Sequence, residues 1–243
     1  MSASVLEALF AHVQRVPAQD LQWLDYENVD WLPRIRPLRP EMIAQEIRRA
    51  VEASPSVSEC LLRVAWLYCW LMSRRKIGPW MLIRFCVNVP QVDYHMLIGD
   101  LANALRSSPR RQTTLHVRHL CETYYACLIN NYVDSAYLEC GLMFLVLWRG
   151  QRFAAAYAST NLEVRALTTA LHIALRGESL ELLEELHEDL DAAFSAGRQD
   201  IGGPVLFRTD RRSSIMAQLF WQVDQEERAV DLSSPTCRQG DAP

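Results

Sequence analysis

The chain has 243 residues, half of them hydrophobic and 22% charged, with a net charge of -4. It can bury a substantial core, and its charge is too balanced to announce nucleic acid or a membrane surface. Seven cysteines, with no C-x-x-C among them, fit reduced, buried thiols in a cytoplasmic or nuclear compartment better than a disulfide framework.

From the start, Val5, Leu6, Leu9, Phe10, Val13 and Val16 recur on one helical face, and Pro17 closes that element. The opening residues have no basic start or cleavage-site pattern, so no signal peptide is expected. Residues 17–40 carry Pro17, Pro33, Pro37 and Pro40 with Trp23, Tyr26 and Trp31 between them. They read as an irregular connector whose aromatics pack onto helices. Pro40 suits a first-turn position and predicts a helix to about Ala53. Ser56 to Glu59 is a capping box. It opens a helix almost wholly apolar from Leu61 to Met72, followed by Arg74, Arg75 and Lys76, where positive charge suits the helix dipole. Lys76 is the one lysine; arginine supplies every other basic residue, a bias that points to a GC-rich genome or an overlapping reading frame.

Residues 80–89, WMLIRFCVNV, fit a buried strand or a short helix; with no partner strand evident, helix is expected. Residues 91–106 read as a helix and 107–112 as an exposed loop. No proline occurs between Pro109 and Pro204, which predicts helices at about 114–131, 135–149, 151–176 and 178–196. Thr160 to Glu163 is a second capping box, placed to split the third of these, and Gly177 and Gly197 occupy helix C-terminal places. Cys140 to Trp148 is wholly apolar or glycine, so the helix 135–149 is expected at the centre of the core. The run is too short for a membrane span, which needs about 20 residues. Glu178 to Asp191 places seven carboxylates around Leu180, Leu183, Leu186 and Leu190, an amphipathic helix with an acidic outer face. A last helix at about 213–228 carries Ile215, Met216, Leu219, Phe220 and Val223. The expected fold is all-α: a compact, bundle-like single domain over residues 1–230, built around the buried hydrophobic helix 135–149, with a disordered polar tail at 231–243.

His116, His119, Cys121 and Cys127 have the chemistry of a zinc site. On one helix they would not converge, because Cys127 would lie about 12 Å beyond His119 at 1.5 Å per residue. No metal or cofactor is therefore expected. Ser73 to Lys76 spells S-x-x-K, but the companion S-D-N and K-T-G motifs are missing, so it reads as a helix end. No phosphate-binding, dinucleotide-binding or nucleophile-elbow glycine motif occurs, so no catalytic residue is expected and the chain reads as a non-enzyme.

Two short stretches resemble known families. Ile43 to Arg49, IAQEIRR, resembles the death-promoting helix of the Bcl family. The resemblance implies that Ile43, Ile47 and Ala50 face a partner's groove. The family's Gly-Asp pair stands here as Val51-Glu52, and its next apolar place as Ser54. Leu32-Pro33 resembles the start of an F-box, which implies an adaptor; the fifth position is Arg36, with Ile35 one place early.

Charge is uneven along the chain. Residues 1–120 carry 15 basic and 11 acidic residues, a net of +4; residues 121–243 carry 10 and 18, a net of -8. Candidate partner-binding residues are Arg74, Arg75, Lys76, Arg110 and Arg111 on the basic side and Glu181, Glu184, Glu185 and Glu188 on the acidic side. Ile43 and Ile47 join them through the Bcl resemblance. The expected function is a soluble, non-enzymatic interaction or regulatory protein with a protein partner, of the kind a virus-encoded accessory factor would be. Alternatives are a self-assembling matrix or shell protein that forms homo-oligomers, a Bcl-like or F-box-like adaptor, an arginine-rich nucleic-acid contact, and an enzyme with no readable motif.

Overall fold

The computed structural model describes residues 3–74, 77–85, 93–107, 111–132, 140–177 and 179–200. Contacts divide the chain into Met1–Ile201 and Gly202–Pro243, and every described residue belongs to the first unit. The helices are α1 (Ala3–Arg15), α2 (Ala18–Leu21), α3 (Pro40–Glu52), α4 (Val57–Ser73), α5 (Tyr94–Arg106), α6 (Asn161–Ala174) and α7 (Leu190–Asp200). Among the described residues the strands are β1 (Trp80–Phe85), β2 (Arg111–Leu120), β3 (Thr123–Tyr132), β4 (Cys140–Trp148), β5 (Phe153–Ala158) and β6 (Leu180–His187). They form one sheet in the order β2-β3-β4-β5-β1-β6, antiparallel throughout. The fold is therefore α/β, and the all-α expectation is overturned.

The central correction is at Cys140–Trp148, a strand in the middle of the sheet and not a helix. Successive residues of a strand point to opposite faces. Here Leu142, Phe144, Val146 and Trp148 pack into one buried cluster with α1, α3, α4 and α7. Met143, Leu145 and Leu147 pack into a second one with α5 and α6. A strand covered on both sides has no polar face, so it reads as an unbroken apolar run. The described residues thus form three layers, and the sheet separates two cores.

The same alternation explains the other misread segments. The expected helix 114–131 is the β2–β3 hairpin, reversed at Cys121–Glu122 with Cys121 at φ 52°. Tyr125, Cys127 and Ile129 face the α4 layer, while Ala126 and Leu128 face α5 and α6. The expected helix 151–176 is β5 followed by α6, split where Thr160 accepts a hydrogen bond from the Glu163 amide at 3.2 Å. The expected helix 178–196 is β6 followed by α7. The ambiguous segment at 80–89 opens as strand β1, with β5 and β6 as its partners.

The N-terminal helices follow the sequence closely. Ser56 caps α4 by accepting from the Glu59 amide at 3.1 Å. The connector packs as expected, with Trp31 edge-on to Trp66 at 5.6 Å. Asp25 holds its return, accepting from the backbone amides of Ile35 at 2.5 Å and Arg36 at 2.8 Å. Arg118 of β2 clamps it to the sheet through two hydrogen bonds to Glu27, at 2.6 and 2.7 Å. α6 ends at Ala174, earlier than expected, and Arg176 at φ 56° and Gly177 at φ 84° turn the chain after it. Gly197 is no helix terminus: it lies within α7, where a Cβ would overlap the Phe153 ring, so glycine lets this helix sit close against β5.

Cys60, Cys69 and Cys127 are buried and unbridged, and Cys140 is half-buried. Cys121, expected within a helical pattern, is exposed at the hairpin turn. Among the described residues no helix is long and apolar enough to cross a membrane. The expected helix 213–228 and tail 231–243 lie outside the described residues.

Candidate partner-binding site

The acidic segment lies in β6, which ends the sheet among the described residues. β6 pairs with β1, and the register slips between Met81, opposite Leu186, and Leu82, opposite Leu183. Glu184 and Glu185 are left over as a bulge. A bulge of two residues keeps the alternation of faces that a bulge of one would invert. His187, opposite the buried Trp80, and Leu183, opposite Leu82, therefore face the same layer. That layer is completed here by α7, anchored by buried Leu190 and Ala193.

Between β6 and α7 lies a cleft of about 700 Å³. Leu82, Leu183 and His187 line it on the side of the sheet, Ala196 and Gln199 on the side of α7, and Glu181 and Glu185 contribute carboxylates. Glu185 is exposed. Glu181 accepts from Arg84 Nη1 of β1 at 2.9 Å, and its side chain is 52% exposed. Solvent screens such a pair, so it positions Glu181 more than it stabilises the fold. His187 is 8% exposed, and its imidazole has no hydrogen-bond partner among the described residues. Beyond the strand, the 77–79 loop presses on the Glu188 carbonyl, where Gly78 leaves no room for a side chain.

Of the acidic candidates, Glu181 and Glu185 meet in this cleft; Glu188 is exposed just past the strand, and the Glu184 side chain lies outside the described residues. Of the basic candidates, Arg74 alone has a described side chain. Arg74 stacks its guanidinium over Trp23 at 5.3 Å and Trp70 at 5.8 Å, a packing role at the end of α4. Arg75, Lys76 and Arg110 lie outside the described residues, as does the side chain of Arg111, which opens β2. Arg106 donates to the Thr113 carbonyl at 3.2 Å, and Arg36 pairs with Asp25 and lies over the Tyr26 ring. Ile43 and Ile47 are 1% and 0% exposed. The apolar face of α3 is already used against α1 and α4, so it has no free groove-facing side. Leu32 and Ile35 likewise belong to the core.

The histidine–cysteine group sits on a hairpin, not on a helix. His116 is opposite Cys127, and His119 stacks on Tyr124 at 4.2 Å. Burial pushes the Cys127 thiol well above its ordinary range, with the neighbouring Cys69 adding to the effect, and burial lowers His116. Among the described residues no three His, Cys, Asp or Glu side chains are placed to hold a metal.

Two features were missed at the level of sequence. One is His187, whose alternation with Glu181, Leu183 and Glu185 signals a shared strand face. The other is a buried polar chain: Thr113 Oγ1 donates to Asn130 Oδ1 at 2.7 Å, and Asn130 Nδ2 donates to Glu163 Oε2 at 2.8 Å. The capping box announces Glu163, but not that its carboxylate is buried over the sheet, in space that Gly141 leaves open. No protein-family profile matches the chain, and no curated protein matches it significantly.

Proposed function

We propose that the chain is a non-enzymatic interaction protein that takes a positively charged segment of a partner protein at the β6–α7 cleft. One observation carries this reading: two carboxylates, Glu181 and Glu185, stand on a cleft whose lining includes Leu82 and Leu183. Concave sites that hold ligands combine an apolar lining with a few polar groups that fix orientation. Carboxylates of one sign select partners of opposite charge and speed their encounter more than they add affinity. They also suit the position, because β6 ends the sheet among the described residues and charge there discourages indiscriminate strand pairing.

Glu185→Lys with Glu188→Lys tests the reading while leaving the Arg84–Glu181 pair intact. Capture of the partner from cell extract at about 0.15 M salt, where screening reaches about 8 Å, should fall at least about tenfold, the effect of losing about 1.4 kcal/mol of complementary charge. Reversal of Arg34 and Arg39, both exposed in the connector, should leave capture unchanged. Equal capture by wild type and the lysine variant would sink the proposal.

A further inference from the structure

The cleft has chemistry more specific than negative charge. We propose that it is an arginine-reading site: resting on the interaction reading above, the partner segment inserts one arginine side chain between Glu181 and Glu185, over His187. The acceptors are spread around the cleft. Glu181 engages Arg84 through Oε2, and a carboxylate has lone pairs for more than one donor. Glu185 offers a second, exposed carboxylate. His187 is more than nine-tenths buried, lines the cleft and makes no hydrogen bond among the described residues, so its ring offers a hydrogen-bonding nitrogen to whatever enters the cleft. The Gln199 amide oxygen is a further acceptor on the α7 wall.

Acceptors on several sides match guanidinium better than ammonium. Guanidinium is planar, carries five N–H donors in a fixed fork and is weakly hydrated, whereas ammonium is a compact, strongly hydrated point charge. The apolar stem of an arginine would cover Leu82 and Leu183, as long basic side chains do on apolar surface. The cleft volume of about 700 Å³ falls within the range of ligand-sized sites and exceeds one side chain, so residues flanking the arginine enter with it.

The test uses the full chain, labelled with nitrogen-15, titrated with a short glycine–serine peptide carrying one central arginine. Matched peptides carry lysine or citrulline, the latter with the shape of arginine and no charge. The arginine peptide should give saturable amide shifts at Leu183, Glu185, His187, Ala196 and Gln199. The lysine peptide should bind at least about tenfold more weakly, and citrulline should produce no shifts. Glu181→Gln with Glu185→Gln should abolish the arginine response, and His187→Phe, which keeps a buried ring, should weaken it severalfold. Equal binding of the lysine and arginine peptides, or shifts that survive in the double-glutamine variant, would overturn the arginine assignment. If the arginine peptide leaves the cleft unmoved while the Glu185→Lys, Glu188→Lys variant still loses its partner, arginine reading fails and the interaction reading stands. If that variant keeps its partner as well, both fail.

Discussion

Phe144→Ala and Leu145→Ala should each destabilise the fold, by about 3–5 and about 2–5 kcal/mol respectively, the ranges for truncating a buried phenylalanine and a buried leucine. The two residues are neighbours in β4 but serve different cores. Phe144 is 1% exposed and lies among Tyr68 at 5.0 Å, Tyr157 at 5.1 Å and Trp80 at 6.3 Å. Leu145 is fully buried on the opposite face, against the α5 and α6 layer. Their side chains enter different clusters on opposite faces of the sheet, so each truncation reports on its own core. Equilibrium urea unfolding measures both. A cost below about 0.5 kcal/mol at either position, the range of surface substitutions, would contradict a strand with both faces in the core.

Asn130→Ala should cost about 3 kcal/mol, at the upper end of the range for removing one partner of a buried hydrogen bond. Asn130 is fully buried and links two polar groups that have little access to water. Its amide oxygen takes the Thr113 hydroxyl, and its amide nitrogen serves the Glu163 carboxylate, which is 1% exposed. Alanine would take a donor from the carboxylate and an acceptor from the hydroxyl together, and would leave a cavity. Thr113→Val, which removes the other end of the chain of bonds at similar volume, should cost only about 1 kcal/mol. The same unfolding experiment decides, and equal, small costs for the two variants would mean that water reaches the group. Glu163 also has its own amide held by Thr160 at 3.2 Å, so one residue ties the start of α6 to the sheet beneath it.

What the sequence conveys about the fold divides by element type. The helices α1, α3 and α5 are legible because one face of each is apolar and the other polar, which preserves a period near 3.6, and α4, almost wholly apolar, because Ser56 marks its start. The strands are not, each for its own reason. β4 is apolar on both faces and has no alternation to detect. β5 carries three consecutive alanines, the best helix formers, in FAAAYA. In and beyond β6, Leu180, Leu183, Leu186 and Leu190 fall at three- and four-residue steps that imitate a helix face and outweigh the alternation of Glu181, Leu183, Glu185 and His187. β1 shows no partner in the sequence, because its partners β5 and β6 both carry helix-like patterns.

The site was half legible for the same reason. Glu181 and Glu185 stood out as charge, but on an expected helix they would form only a solvated face. Their meeting with His187 depends on the β1–β6 register, and the Gln199 wall depends on α7 lying close to β5 over Gly197. Those are long-range pairings that local periodicity does not encode. Arg74, equally prominent as charge, packs over two tryptophan rings at the end of α4.

Hydrogen exchange of the chain with and without its captured partner tests the account at its centre. Binding at the cleft should slow exchange of the amides in β6 and α7 and leave β2 and α5 at their free rates. Protection confined to β2, α5 or the connector at 17–40, with β6 and α7 unchanged, would contradict it.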